Sequence, residues 1–134
     1  MANYAVMAHF YDEFTEDVPY RAWADFIQSV FQKYGAQPEI VLDLACGTGS
    51  LTKLLAEAGY DMIGTDMSPE MLAEASEKTA SLNPRPLFLC QRMEKLDLYG
   101  TVDAVVCALD SVNYLTSQHT LEAAFARVGL FLND

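Results

Sequence analysis

Residues 40–49 read Ile-Val-Leu-Asp-Leu-Ala-Cys-Gly-Thr-Gly, and this stretch decides the fold. Its first five residues form a short, β-branched and nearly all-apolar run, which is typical of a parallel strand covered on both faces. Gly47-Thr48-Gly49 then ends the strand, and residues 50–58 carry leucines at helical spacing. The stretch therefore predicts a strand, a glycine-rich turn and a helix, in that order.

The remainder of the chain repeats this alternation. Further strands are predicted at residues 61–66, 87–90 and 102–109, and further helices at 19–34, at 68–80 and from about 121 to 132. Strands that alternate with helices of this length predict an α/β fold with a doubly wound parallel sheet. Because the last helix reaches no further strand before Asp134, we expect the sheet to be incomplete at its C-terminal end. We also expect an amino-terminal fragment or interrupted gene product, with an open sheet edge that favours a homodimer.

Composition narrows the possible functions. The chain has 134 residues, 51% hydrophobic and 20% charged, which excludes a disordered protein and predicts one domain. The net charge of −11 disfavours binding to nucleic acid and to anionic membranes. The N-terminal residues lack the basic start and apolar block of a secretion signal, so we expect a cytoplasmic protein. Cys46, Cys90 and Cys107 form no Cys-x-x-Cys pair, and His9 and His119 lie far apart, so no metal site is predicted.

Two features at predicted strand ends indicate an adenosine-containing ligand. Gly47 and Gly49 leave backbone N–H groups open to a ligand at the start of a helix. Asp66 ends the next strand, nineteen residues after Gly47, where its carboxylate can accept hydrogen bonds from both hydroxyls of a ribose. The alternatives are a tight turn without a ligand for the glycines and a turn cap for Asp66.

The same stretch discriminates between adenosine ligands. Thr52 occupies the third position of Gly-x-Gly-x-x-Thr, where a dinucleotide-binding turn requires a small residue. Asp43 lies four residues before Gly47, where its charge would repel a pyrophosphate and attract a cation. Both observations disfavour NAD and favour S-adenosylmethionine, which joins adenosine to a sulfonium and an amino acid.

The motifs carry a family resemblance. Residues 41–49 resemble the first motif of class I S-adenosylmethionine-dependent methyltransferases, residues 64–72 resemble the second, and residues 103–107 resemble the fourth strand. The similarity covers nearly the whole chain and is greatest to small bacterial methyltransferases of unassigned substrate. It implies a Rossmann-like methyltransferase domain over residues 1–134, with a helical lid or leader at 1–38 and a βα cofactor-binding core at 39–134. It further implies an enzyme that transfers a methyl group by direct in-line displacement to an unidentified small-molecule acceptor.

The resemblance also implies roles for individual residues. Asp43 would face the amino-acid end of the cofactor, Asp66 would hold the ribose hydroxyls and Met67 would flank the adenine. The full predicted cofactor-binding set is Asp43, Ala45, Gly47, Gly49, Asp66, Met67, Gln91, Met93, Leu109 and Tyr11, with Asp110 and Asn113 on the substrate side. No catalytic residue is nominated, because direct transfer requires no covalent catalyst.

One residue departs from the family pattern. Arg92 stands where the family's adenine-binding segment carries an acidic residue. A guanidinium cannot accept a hydrogen bond from the adenine amino group, so a backbone carbonyl or Gln91 would have to accept it.

The sequence also allows other interpretations of the function and of several residues. The chain could be a non-catalytic S-adenosylmethionine-binding module, or a truncated subunit that needs a partner and is inactive alone. Asp110 and Asn113 could serve only as turn or helix caps. A lid over the cofactor could be formed by Tyr4, Tyr11, Tyr20 and Trp23, but the helical spacing of Tyr20 and Trp23 favours packing for these two.

Overall fold

The computed structural model describes residues 9–11, 20–109 and 118–132. These residues form five strands: β1 (His9–Tyr11), β2 (Ile40–Leu44), β3 (Asp61–Asp66), β4 (Leu87–Cys90) and β5 (Ala104–Leu109). They also form four α-helices: α1 (Tyr20–Lys33), α2 (Ser50–Glu57), α3 (Pro69–Lys78) and α4 (Gln118–Phe131). A 3₁₀ turn covers Met93–Lys95.

The strands form one parallel sheet in the order β1-β5-β2-β3-β4. Helices α2 and α3 are the crossovers from β2 to β3 and from β3 to β4, so the doubly wound α/β fold and the four predicted strands are confirmed. Strand β1 was not predicted, because three residues are too few to show a periodicity. In a parallel sheet the carboxyl ends of the strands lie at one edge, and that edge carries the candidate site.

Strand β2 lies at the centre and is buried on both faces. Leu42 and Leu44 contribute to a core cluster with residues of β5, the 3₁₀ turn and Val128 of α4. Val41 faces a second cluster, built with Ile27 and Phe31 of α1 and with leucines of α2. Each fully buried side chain of this size contributes about 1.5–3 kcal/mol. Burial on both faces explains why residues 40–44 read as a nearly continuous apolar run.

Polar contacts fix where β2 and α3 begin. Asp103 Oδ2 accepts hydrogen bonds from the backbone N–H groups of Glu39 (3.0 Å) and Ile40 (2.9 Å), which ties the start of β2 to the segment before β5. Ser68 Oγ accepts a bond from Met71 N at 3.2 Å, and Pro69 is the first helical residue. The predicted helix start at these residues is therefore confirmed.

Within the predicted lid or leader, α1 belongs to the core layer. Ala24, Ile27 and Phe31 are buried against α2 and the sheet. Tyr20 and Trp23 pack partly buried against the same cluster, with their rings edge to face at a centroid distance of 6.1 Å. Packing is thus their role in this structure, as their helical spacing favoured.

Candidate functional site

The glycine loop, residues 45–49, connects β2 to α2 at the carboxyl edge of the sheet. Ala45 (φ 61°), Gly47 (φ 60°) and Gly49 (φ 84°) all have left-handed backbone conformations. For Ala45 this conformation costs about 1–2 kcal/mol, because its Cβ crowds the following carbonyl oxygen. Backbone strain of this kind is concentrated at functional sites, so the strain at Ala45 indicates a functional constraint on the loop.

The two glycines of the loop have different surroundings. A Cβ at Gly49 would lie 2.6 Å from Cβ of Ala75, so Gly49 permits close packing of the loop on α3. A Cβ at Gly47 would meet nothing within 4 Å. Gly49 therefore has a structural reason to be glycine, whereas Gly47 borders open space at the predicted site.

A lysine of α3 forms hydrogen bonds with side chains at the end of the glycine loop. Lys78 Nζ, in the last turn of α3, donates to Ser50 Oγ at 2.9 Å and to Thr48 Oγ1 at 3.4 Å. Together with the Gly49–Ala75 contact, these bonds fix the loop against α3. The sequence did not indicate this role, because Lys78 lies about thirty residues away along the chain.

Asp66 ends β3, as predicted, and links this strand to the loop that follows β2. Its Oδ2 accepts a hydrogen bond from Gly47 N at 2.9 Å, and its Oδ1 accepts one from Ser68 N at 3.0 Å. The side chain is only 5% exposed. Asp66 thus fixes the conformation of the glycine loop, and the cap considered as an alternative role is also present.

Asp43 lies beneath the loop and is almost completely buried, with 1% exposure. Thr52 Oγ1, on α2, donates to Asp43 Oδ2 at 2.6 Å. Burial raises the pKa of Asp43 to about 7, the Thr52 bond opposes that rise, and the nearby Asp66 adds to it. The charge of Asp43, which we used to disfavour a pyrophosphate, is therefore fully present only above neutral pH. The sequence indicated Thr52 only as a departure from the dinucleotide pattern and missed its contact with Asp43.

The thiols near the loop have raised pKa values. Burial, reinforced by Asp43, raises the pKa of Cys46 above its ordinary range and that of Cys107 to about 12. Both side chains are therefore uncharged thiols at neutral pH. Cys46 Sγ would lie 3.0 Å from a Cβ at Gly64, so the thiol packs closely against β3.

The segment after β4 lies next to Asp66. Gln91 N donates to Asp66 O at 2.9 Å, but the Gln91 side chain is used elsewhere. Its Nε2 donates to Asp97 O (2.7 Å), and its Oε1 accepts from Asp97 N (3.0 Å). These two bonds join the Gln91 side chain to the backbone of Asp97. A contact between that side chain and an adenine would have to replace them. Of the two predicted acceptors, a backbone carbonyl is the one the geometry favours.

The neighbouring residues of this segment also have their own partners. Arg92 Nε forms an ion pair with Glu94 Oε2 at 2.8 Å, and this pairing lowers the pKa of Glu94. The Met93 side chain is buried in the core cluster that contains Leu42 and Leu44. A contact from Met93 to a ligand would therefore come from its backbone.

The structure gives positions for some of the remaining predicted site residues and does not describe the others. Met67 directly follows β3 and is 48% exposed beside Asp66. Leu109 and Tyr11 are register partners at the carboxyl ends of β5 and β1, on the same sheet edge as the glycine loop. Tyr4, Asp110 and Asn113 lie outside the described residues.

The described ranges contain neither a metal-binding cluster nor a helix suited to cross a membrane. No three His, Cys, Asp or Glu residues among them are arranged to hold a metal ion. None of the helices in those ranges combines the length and apolar character that crossing a bilayer requires.

Comparisons with known proteins agree with this geometry. A family profile described as "Methyltransferase domain" matches residues 41–133. The Bacillus subtilis (strain 168) protein YqeM, a methyltransferase by its name, is 39% identical over 126 residues, which cover 93% of this chain and 49% of YqeM. A glycine/sarcosine N-methyltransferase of Parasynechococcus marenigrum (strain WH8102) is 30% identical over 132 residues, covering 88% of this chain and 46% of that protein.

A solved structure shares both sequence and fold with the chain. The crystal structure of an S-adenosylmethionine-dependent methyltransferase from Clostridium acetobutylicum ATCC 824 superposes with a TM-score of 0.79 at 36% identity, covering 88% of this chain and 48% of that one. The chain spans about half the length of the relatives it matches. The parallel sheet, the motifs at residues 41–49 and 64–72 and these matches all indicate the same family. The chain belongs to the class I S-adenosylmethionine-dependent methyltransferase family.

Proposed function

We propose that the protein binds S-adenosylmethionine over the glycine loop and transfers its methyl group to a small-molecule acceptor. One observation carries the proposal. The Asp66 carboxylate is hydrogen-bonded to Gly47 N and Ser68 N, beside the open space that borders Gly47. A fixed carboxylate next to an unobstructed backbone turn is the arrangement that an adenosine group requires.

The residues present fit this cofactor. A carboxylate offers about four acceptor positions, and two of those on Asp66 are occupied, which leaves two for the hydroxyls of a ribose. Gly47 admits the ligand without a side-chain clash. Met67, half-exposed beside Asp66, offers an apolar surface for a purine ring. Asp43, when ionised, provides a negative charge that favours the ammonium group at the amino-acid end of the cofactor.

When bound, S-adenosylmethionine supplies a methyl group on a positively charged sulfur. The residues of this chain contribute by binding and orientation. Asp66 accepts a hydrogen bond from Gly47, and Lys78 donates one to Ser50 directly after the loop. These bonds order the glycine loop before the cofactor binds. Rigid placement of reacting groups accounts for much of the rate enhancement in direct transfer reactions. We therefore assign these residues to binding and positioning rather than to proton transfer.

A small-molecule acceptor is supported by two considerations. The glycine/sarcosine N-methyltransferase relative carries a small amine in its name. The net charge of −11 disfavours a large anionic acceptor such as RNA. Small primary and secondary amines are therefore the first acceptors to test.

Calorimetric titration of the 134-residue chain with S-adenosylmethionine, S-adenosylhomocysteine and NADH tests the binding step. We expect saturable binding of the first two and none of NADH; preferential binding of NADH would contradict the proposal. Transfer of a labelled methyl group to a panel of small amines and carboxylic acids tests the reaction. Binding without transfer to any acceptor would favour the non-catalytic binding module instead.

A further inference from the structure

The buried pair Asp43–Thr52 is an unusual feature of this site. Both side chains are at most 1% exposed, and the 2.6 Å bond from Thr52 Oγ1 engages only one carboxylate oxygen of Asp43. Among the described residues, no Lys, Arg or His forms an ion pair with Asp43. A carboxylate buried with a single neutral donor and no cation is costly to ionise.

The surroundings of Asp43 add negative rather than positive potential. The titratable groups that act on or are affected by Asp43 are Asp66 on β3, whose charge raises the pKa of Asp43, and Cys46 and Cys107, which are uncharged thiols at neutral pH. Helix α2 contributes the Thr52 hydroxyl, and α1 contributes apolar side chains to the cluster on this face of the sheet. Within the part of the chain that the structure describes, no positive charge thus offsets the cost of ionising Asp43.

We propose that Asp43, positioned by Thr52, holds a proton in part of the free molecules and releases it when the ammonium group at the amino-acid end of the cofactor binds. This inference rests on the proposed function. The O–H bond of the carboxyl group breaks, the proton passes to the solvent, and the carboxylate that forms stabilises the positive charge of the ligand. Thr52 orients the carboxyl group and favours its ionised form by donating to Oδ2. Thr52 is thereby a positioning residue.

The consequence is that cofactor affinity rises with pH around neutrality. Burial raises the pKa of Asp43 to about 7, so roughly half of the free molecules carry the proton at that pH. At lower pH the cofactor must displace a proton to bind, which weakens affinity by up to about tenfold for each pH unit below that value.

Isothermal titration calorimetry of the full chain at pH 7, in two buffers of different ionisation enthalpy, counts the released protons. The probes are S-adenosylmethionine and 5′-methylthioadenosine, which shares the adenosine but has no cationic group. We expect release of about half a proton with S-adenosylmethionine and none with methylthioadenosine. Asp43→Asn is the matched variant, and it also corrects for protons taken up by the amino group of the ligand itself, since α-amino groups titrate near pH 8.

Two variants of Thr52 separate positioning from packing. Thr52→Val keeps the shape but removes the hydroxyl, so the pH midpoint of proton release should move upward; Thr52→Ser should restore it. A Thr52→Val variant with an unchanged midpoint would overturn the positioning role.

The outcomes distinguish this inference from the proposed function. Binding of both probes with the same proton count in the native chain and in Asp43→Asn overturns the inference and leaves the proposed function standing. Equal proton release with both probes also overturns it, because the cation would not be the cause. If neither probe binds, the proposed function fails and this inference fails with it.

Discussion

Gly47 and Gly35 offer a matched pair of substitutions. Both have left-handed backbones, with φ of 60° and 67°, and in both a Cβ would meet nothing within 4 Å. Gly35 follows α1, before β2 begins, whereas Gly47 follows the end of β2 at the site. Replacement of either glycine by Ala should therefore cost the same backbone strain but differ in its effect on the ligand.

The strain of a left-handed Ala is about 1–2 kcal/mol, partly offset by the lower entropy of the unfolded chain. We expect both variants to lose about 1 kcal/mol of unfolding free energy, as measured by urea denaturation. In Gly47→Ala the new methyl group occupies ligand space, at a cost of about 1–3 kcal/mol, or about 5- to 150-fold in S-adenosylmethionine affinity. In Gly35→Ala the affinity should not change. Equal affinities of the two variants would refute the assignment of the space beside Gly47 to the ligand.

Three further predictions test the structure around this loop. Gly49→Ala should lose about 2–5 kcal/mol of stability, since its Cβ would lie 2.6 Å from that of Ala75, and the added change Ala75→Gly should recover part of this loss in urea unfolding. Asp66→Asn should weaken S-adenosylmethionine binding about ten- to 150-fold in a titration, because charge-assisted hydrogen bonds are worth about 1.5–3 kcal/mol; unchanged affinity would refute the ribose role. Asp43→Asn should be more stable than the native chain at pH 8 and no different near pH 4. The folded pKa of about 7 exceeds the unfolded value of 3.8, so stability is present in full below pH 4 and is lost as pH rises through 7. The difference at pH 8 is at most about 4 kcal/mol, and a difference independent of pH would contradict the burial argument.

Periodicity was sufficient to predict most of the fold. Residues 40–44 form a buried central strand, and an apolar run is what burial on both faces requires. The Ser68-Pro69 start of α3 was predictable because capping is a local interaction. Strand β1 escaped prediction because its pairing with β5 joins residues almost a hundred positions apart and leaves no local pattern.

The sequence predicted the site residues that lie at strand ends. It did not predict the side-chain contacts that depend on how the helices and loops pack. The sequence placed Gly47 and Asp66 at the ends of successive predicted strands, and a hydrogen bond of 2.9 Å joins Gly47 N to Asp66 Oδ2. The spacing could not show that Thr52 bonds to Asp43, since that contact depends on how α2 lies across the sheet. Nor could it show that the Gln91 amide is committed to Asp97, because that bond depends on the course of the segment after β4.

A crystal structure of the chain with S-adenosylmethionine tests the central claim most directly. We expect electron density for the ligand over the glycine loop, with both ribose hydroxyls on the Asp66 carboxylate and the sugar beside Gly47. Ligand density elsewhere on the molecule, or a ligand at the loop whose ribose lies away from Asp66, would contradict it.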